Sequence, residues 1–146
     1  MATLIEPRDE LFLDSSFAIA LAAPSDTLHR RAVELAERIE AVPVRMITSS
    51  GILMEIGNAL AKQRYRAASV QLLDSIRRDP KIEIVSITSD LFLRGFELYR
   101  ARTDKEWGLV DCISFTIMTE RRITKALTAD DHFQQCGFLP LLRDPR

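Results

Sequence analysis

The sequence predicts an α/β domain, a mainly parallel sheet with helices covering both faces. Three observations lead there. Short apolar segments of strand length alternate with longer stretches whose apolar residues recur at helical spacing, and strands that alternate with helices pack as parallel sheets behind crossover helices. With 146 residues, 47% hydrophobic and 28% charged, the chain can bury a core without disulfide or metal staples. No repeat, low-complexity tract or linker interrupts it, so residues 1–146 are expected to form a single domain.

Leu11 to Asp14 opens the pattern as a short buried strand, and Phe17 to Ala23 follows as a helix of small residues ended near Pro24. A second helix is predicted from a Ser25 or Asp26 cap to about Ala41, because Leu28, Ala32, Leu35, Ala36 and Ile39 form an apolar stripe at helical spacing. Pro43 opens an extended segment, Val44 to Thr48, and Ser49 or Ser50 caps the helix that carries Glu55. The next helix runs from about Arg66 to Arg77 and stops at Asp79-Pro80, after which Ile82, Ile84 and Ser86 alternate as a strand. Thr88 begins a helix with apolar positions Leu91, Leu93, Phe96, Leu98 and Tyr99. A polar loop, Thr103 to Glu106, separates it from a helix running from Asp111 to about Glu120. Lys125 to Thr128 is predicted as a strand, Asp131 to Gln135 as a short helix ended by Gly137, and Leu139 to Leu142 as an edge strand.

Composition excludes several classes of function. The longest apolar runs fall far short of the roughly 20 residues that cross a bilayer. Met1 to Glu10 carries three acids and lacks the apolar centre of a signal peptide, so a cytoplasmic protein with no membrane partner is expected. Cys112 and Cys136 have no close pair spacing and fit free thiols in a reducing compartment. Twenty basic residues against 21 acidic ones leave no broad basic footprint, so any nucleic-acid contact must be local. The five glycines are scattered, no phosphate loop or Gly-x-Ser-x-Gly elbow exists, and His29 lies in a charged helical stretch expected at the surface.

Four acids stand where a carboxylate is hardest to explain: Asp14, Glu55, Asp111 and Asp130, each abutting an apolar segment. Three have a local alternative. Asp111 fits a helix N-cap, Asp130 and Asp131 fit turn and cap residues, and Asp14 could start its helix. Glu55 has none, since it lies inside a helix between Met54 and Ile56. Ligands of open α/β sheets bind beyond the carboxyl ends of the strands, where all four acids can converge. Residues three apart share a helix face, which pairs Glu55 with Asn58 and Asp111 with Ser114. Two unit charges about 4 Å apart repel by roughly 4 kcal/mol at an effective dielectric near 20, so clustered carboxylates either take up protons or hold a divalent cation. Oxygen donors suit Mg²⁺ or Mn²⁺, and with no histidine or cysteine cluster at ligand spacing zinc fits less well. A carboxylate cage around such an ion is the apparatus of phosphodiester hydrolysis.

At these residues the sequence resembles the PIN-domain family, in particular the VapC-like toxin ribonucleases of toxin-antitoxin modules. The likeness spans nearly the whole chain. It rests on the Leu13-Asp14-Ser15-Ser16 strand end, on Glu55 followed by Asn58 and Leu60, on the block Asp104 to Phe115, and on Leu127-Thr128-Ala129-Asp130-Asp131-His132-Phe133. The resemblance implies a three-layer α/β/α fold and a Mg²⁺- or Mn²⁺-dependent endoribonuclease whose metal-holding, catalytic acids are Asp14, Glu55, Asp111 and Asp130, with Asp131 as the substitute for Asp130. Ser16, Asn58, Ser114 and Thr128 resemble groups that orient those acids, and His132 is either structural or near the substrate. The family further implies an RNA substrate, a cognate antitoxin protein and a homodimer. Arg94, Arg100, Arg102 and Lys105, shortly before Asp111, are the candidates for contacting RNA phosphates. The alternative function is a non-catalytic PIN-like module that binds RNA or protein. A phosphatase ranks below both, because Asp14-Ser15-Ser16 lacks an Asp-x-Asp arrangement.

Overall fold

A parallel strand can reach its neighbour only through a crossover, and the helices of this chain are spent on that task. The computed structural model describes residues 5–143. In chain order the elements are β1 (Glu10–Leu13), α1 (Ser15–Ala22), α2 (His29–Ala41), β2 (Arg45–Ser49), α3 (Ser50–Ala59), α4 (Gln63–Arg78), β3 (Ile82–Val85), α5 (Ser89–Ala101), α6 (Leu109–Arg121), β4 (Lys125–Leu127), α7 (Asp131–Gln135) and β5 (Leu139–Pro140). The strands pair in the order β3-β2-β1-β4-β5, and every pairing is parallel, the short edge strand β5 included.

From β1 the chain builds outward through β2 to β3, then crosses back to β4 and β5 on the other side. Right-handed crossovers therefore put α1 to α4 on one face of the sheet and α5 with α6 on the opposite face, and the packing follows: α1 meets α2, α3 and α4, while α5 lies along α6. The reversal leaves a crevice at the carboxyl ends of β1 and β4, where open α/β sheets bind their ligands. The central strands are fully buried at Leu11, Phe12, Ile47, Ala126 and Leu127.

Several boundaries differ from the expectations. Helix α2 begins at His29 because Asp26 Oδ1 accepts the Leu28 amide at 2.8 Å and closes a turn instead of capping a helix. His29 is half-buried, its Nδ1 lying 2.8 Å from the Ala20 carbonyl, and so ties α2 to α1 instead of facing solvent. Helix α4 starts earlier, at Gln63. On α5, Leu91 and Gly95 face inward, whereas Leu93 and Tyr99 are 55% and 46% exposed. Gly95 explains which face wins: a Cβ there would lie 2.5 Å from Ile113 Cγ1, so α6 is drawn against the glycine side.

An aromatic cluster beneath the carboxyl edge joins four parts of the chain. Phe115 of α6 meets Trp107 and Phe133 edge-on, with ring centroids 5.0 Å apart in each pair, and Phe133 reaches Phe12 of β1 at 6.1 Å. Such pairs add about 0.5–1.5 kcal/mol beyond burial. They fix α6 and α7 relative to the central strand.

Candidate active site

Asp14 follows the last residue of β1 and is held on both sides. Its amide donates to the Leu127 carbonyl at 3.3 Å, and Thr48 Oγ1 donates to the Leu13 carbonyl at 2.8 Å. Its carboxylate makes no capping hydrogen bond to α1. Instead Oδ2 accepts from Thr128 Oγ1 at 2.7 Å and from Ser16 Oγ at 2.9 Å, which bridges the ends of β1 and β4. Asp14 is 6% exposed. Burial pushes its carboxyl above the ordinary range, the two hydroxyls pull it partly back, and Asp111 nearby pushes it up again.

Glu55 comes from the adjoining strand end. Helix α3 begins directly after β2 because Ser49 Oγ accepts the Ile52 amide at 3.3 Å, while Ser50 Oγ accepts the Ile87 amide at 3.1 Å. Gly51, Ile52 and Ile56 then face the core, which leaves Glu55 half-buried between them and the solvent face. Ser15 Oγ donates to Glu55 Oε1 at 3.3 Å, a partner that the sequence reading did not single out. Burial, then the charges of Asp14 and Asp111, and to a lesser degree that of Asp130, push the Glu55 carboxyl up to about 7. Acids from four separate elements thus share one electrostatic neighbourhood.

Asp111 and Asp130 complete it. Gly108 is the N-cap of α6, so Asp111 sits at the third helical position, where its Oδ2 accepts the Gly108 amide at 3.0 Å, one half of a capping box. Its carboxyl is raised by burial and by Asp130, against the pull of the Gly108 amide and His132. Asp130 caps α7 through the His132 amide at 2.9 Å, and its own amide is held by Thr128 Oγ1 at 3.0 Å. His132 Nδ1 lies 3.2 Å from Asp111 Oδ2 and 3.4 Å from Asp130 Oδ1. Asp111, Asp130 and His132 each offer a ligand atom within 4.8 Å of the others, so His132, left open by the sequence, lies against the acids.

The family model of the PIN domain matches residues 11–139. The chain belongs to the PIN-domain family. A relative within it is the 23S rRNA-specific endonuclease VapC20 of Mycobacterium tuberculosis, found in strains CDC 1551 / Oshkosh and H37Rv, 28% identical over 129 residues that span 88% of this chain and 95% of VapC20. The crystal structure of VapC20, described as a Sarcin-Ricin loop cleaving toxin, matches with a TM-score of 0.79 at 27% identity over 88% of this chain and 96% of that one. VapBC2 from Rickettsia felis, solved bound to a DNA fragment from its promoter, shares the fold with a TM-score of 0.62 at 15% identity, over 90% and 96% of the two chains.

Other residues expected at the site of this PIN domain are placed differently. Asp131 is 67% exposed and pairs with Arg143, so it turns from the cluster that Asp130 joins. Ser114 Oγ donates to the Val110 carbonyl at 2.9 Å and is spent within its own helix. Asn58 is exposed, with no hydrogen bond to Glu55. The expected phosphate-contacting arginines already have acid partners: Arg94 with Glu120 at 2.7 Å, Arg100 with Glu97 at 3.5 Å, and Arg102 with Asp104 at 2.9 Å. Among the described residues Lys105 has no such partner. The buried Cys112 thiol is pushed up to about 11 by burial first and by Asp111 next, which makes it a poor nucleophile.

Proposed function

We propose that this PIN domain is a divalent-metal-dependent endoribonuclease, the toxin of a toxin-antitoxin pair. The observation that carries the reading is the convergence of Asp14, Glu55, Asp111 and Asp130 from four elements on the carboxyl edge between β1 and β4. The donor set fits a hard cation. Asp14, Glu55 and Asp111 are all pushed toward their protonated forms, chiefly by burial and then by neighbouring acids, Asp111 acting on Asp14 and Glu55 and Asp130 acting on Asp111, and a divalent ion is the counter-charge that would let them ionise together. The four acids would hold it, and when bound it would supply water activation and offset charge on the scissile phosphate.

The residues around the acids supply orientation. Thr128 and Ser16 direct the Asp14 carboxylate, Ser15 restrains Glu55, and the Gly108 amide holds Asp111. Lys105, in the loop before α6, is the basic residue left to meet an RNA phosphate, since the three arginines are engaged by acids. RNA carrying a sarcin-ricin stem-loop is the substrate class that the likeness to VapC20 supports. A cognate antitoxin, a homodimer, a single domain over residues 1–146 and a cytoplasmic site of action belong to the same reading. Among the described residues no helix is long and apolar enough to cross a membrane.

Purified protein with Mg²⁺ or Mn²⁺ is expected to cleave RNA, and Asp14→Asn and Asp111→Asn are expected to abolish both cleavage and growth arrest on expression. Cleavage by either variant at the parent's rate would remove the acids from the catalytic role and the reading with them.

A further inference from the structure

Near the acids, one nitrogen donor is built in with as much care as the oxygens. His132 occupies the second position of α7, where its amide is fixed to Asp130 Oδ1 at 2.9 Å. The neighbouring Phe133 is fully buried against Phe12 and Phe115, so the backbone carrying the imidazole is anchored from below. The ring's Nδ1 faces one oxygen of Asp111 at 3.2 Å and one of Asp130 at 3.4 Å. A merely orienting histidine needs one carboxylate; this one is aimed at two that belong to different elements.

We infer that His132 Nδ1 is itself a ligand of the active-site cation, beside Asp111 and Asp130, and that it biases the site toward Mn²⁺ over Mg²⁺. This rests on the metal reading above. Mg²⁺ takes oxygen donors almost exclusively, whereas first-row transition ions accept imidazole readily. A neutral imidazole also adds a donor without adding to the negative charge that the four carboxylates already crowd together. Ligation through Nδ1 requires the tautomer that carries the hydrogen on Nε2.

The test is pulsed electron paramagnetic resonance on the Mn²⁺-loaded protein, with isothermal titration alongside. The parent is expected to show nitrogen-14 coupling of a directly bound imidazole, and His132→Gln to lose it while Mn²⁺ affinity falls by at least about 10-fold, the low end of what losing even a residue that only orients a ligand costs, and Mg²⁺ affinity falls less. The chain's other histidine provides the control, since His29→Gln should keep the coupling. Parent and His29→Gln decide the matter even if His132→Gln fails to fold. Mn²⁺ bound tightly with no nitrogen coupling overturns the inference and leaves the nuclease reading standing. Coupling that survives His132→Gln also overturns it. No Mn²⁺ binding by the parent overturns this inference together with the metal reading beneath it.

Discussion

Thr128 uses one hydroxyl on three neighbours: it donates to Asp14 at 2.7 Å, lies 3.3 Å from Ser16 Oγ and accepts the Asp130 amide at 3.0 Å. Thr128→Val keeps the shape and removes the hydroxyl, so it should lower RNA cleavage and Mn²⁺ affinity by roughly 10–100-fold, with Thr128→Ser restoring most of both. Equal kcat/KM for Thr128→Val and the parent would show that Asp14 needs no such support. At this scale the sequence is informative where a residue has no local excuse. An acid inside the apolar helix at Glu55 has neither cap nor turn to explain it. Ser15 is missed because a hydroxyl beside an acid carries no pattern of its own, and its partner is 40 residues away. Asp130 and Asp131 are told apart by contacts that spacing does not encode, Asp130 capping the His132 amide while Asp131 meets Arg143 from beyond β5. Ser114 shares a face with Asp111 as expected, but its own helix carbonyl is the nearer acceptor.

The position of α6, and of Asp111 with it, depends on how closely α5 approaches. At Gly95 an added methyl would meet Ile113 Cγ1 at 2.5 Å and its Cα at 3.0 Å, and the second of these is backbone that yields little. Gly95→Ala should therefore destabilise the fold by about 1–3 kcal/mol, the usual range for overpacking, despite alanine's better helix propensity. Urea unfolding measures this, and a stabilised variant would mean that α5 slides without consequence. Phe133→Ala removes the ring between Phe12 and Phe115 and should cost about 3–5 kcal/mol. Most elements are legible from apolar spacing and caps. The exceptions follow from competition: Asp26 closes a turn before α2 can start, and Gly108 displaces Asp111 from the cap of α6. The exposed Leu93 and Tyr99 of α5 look like core in a linear pattern, because the pattern cannot show that a glycine, not the larger residues, marks the packed face.

The folded molecule contains two sets of carboxyls with opposite pH behaviour. Glu55 titrates at about 7 against an ordinary 4.5, and Asp14 and Asp111 are raised as well. Between those two values the folded chain keeps a proton on Glu55 that the unfolded chain has lost, so stability of the metal-free protein should fall as pH rises from about 4.5 to about 7. Asp9 and Glu83 run the other way. Burial opposes ionisation of Asp9, but its pairing with Lys125 at 2.7 Å prevails and holds it low, and hydrogen bonds from Arg121 do the same for Glu83. Their contribution is present above the ordinary values of 3.8 and 4.5 and disappears as pH falls through the lowered ones. Thermal melting from pH 4 to 8 should thus show a decline toward neutrality that Mn²⁺ reverses, and a metal-free Tm that rises between pH 5 and 7 would contradict the crowding of the acids. The all-parallel order of the sheet follows from strands alternating with helices, whereas the return from β3 to β4 that opens the crevice is a choice among topologies that no local segment determines.

The chain's single tryptophan adds a practical property. Trp107 is 4% exposed, rests edge-on against Phe115 of α6 and donates its indole N–H to Gln135 of α7 at 3.0 Å, so it touches both helices that bring Asp111, Asp130 and His132 together. Its emission needs no deconvolution and no label. Any event that draws those two helices closer or parts them will change the colour and yield of one fluorophore, which gives the molecule an intrinsic optical gauge of its own assembly.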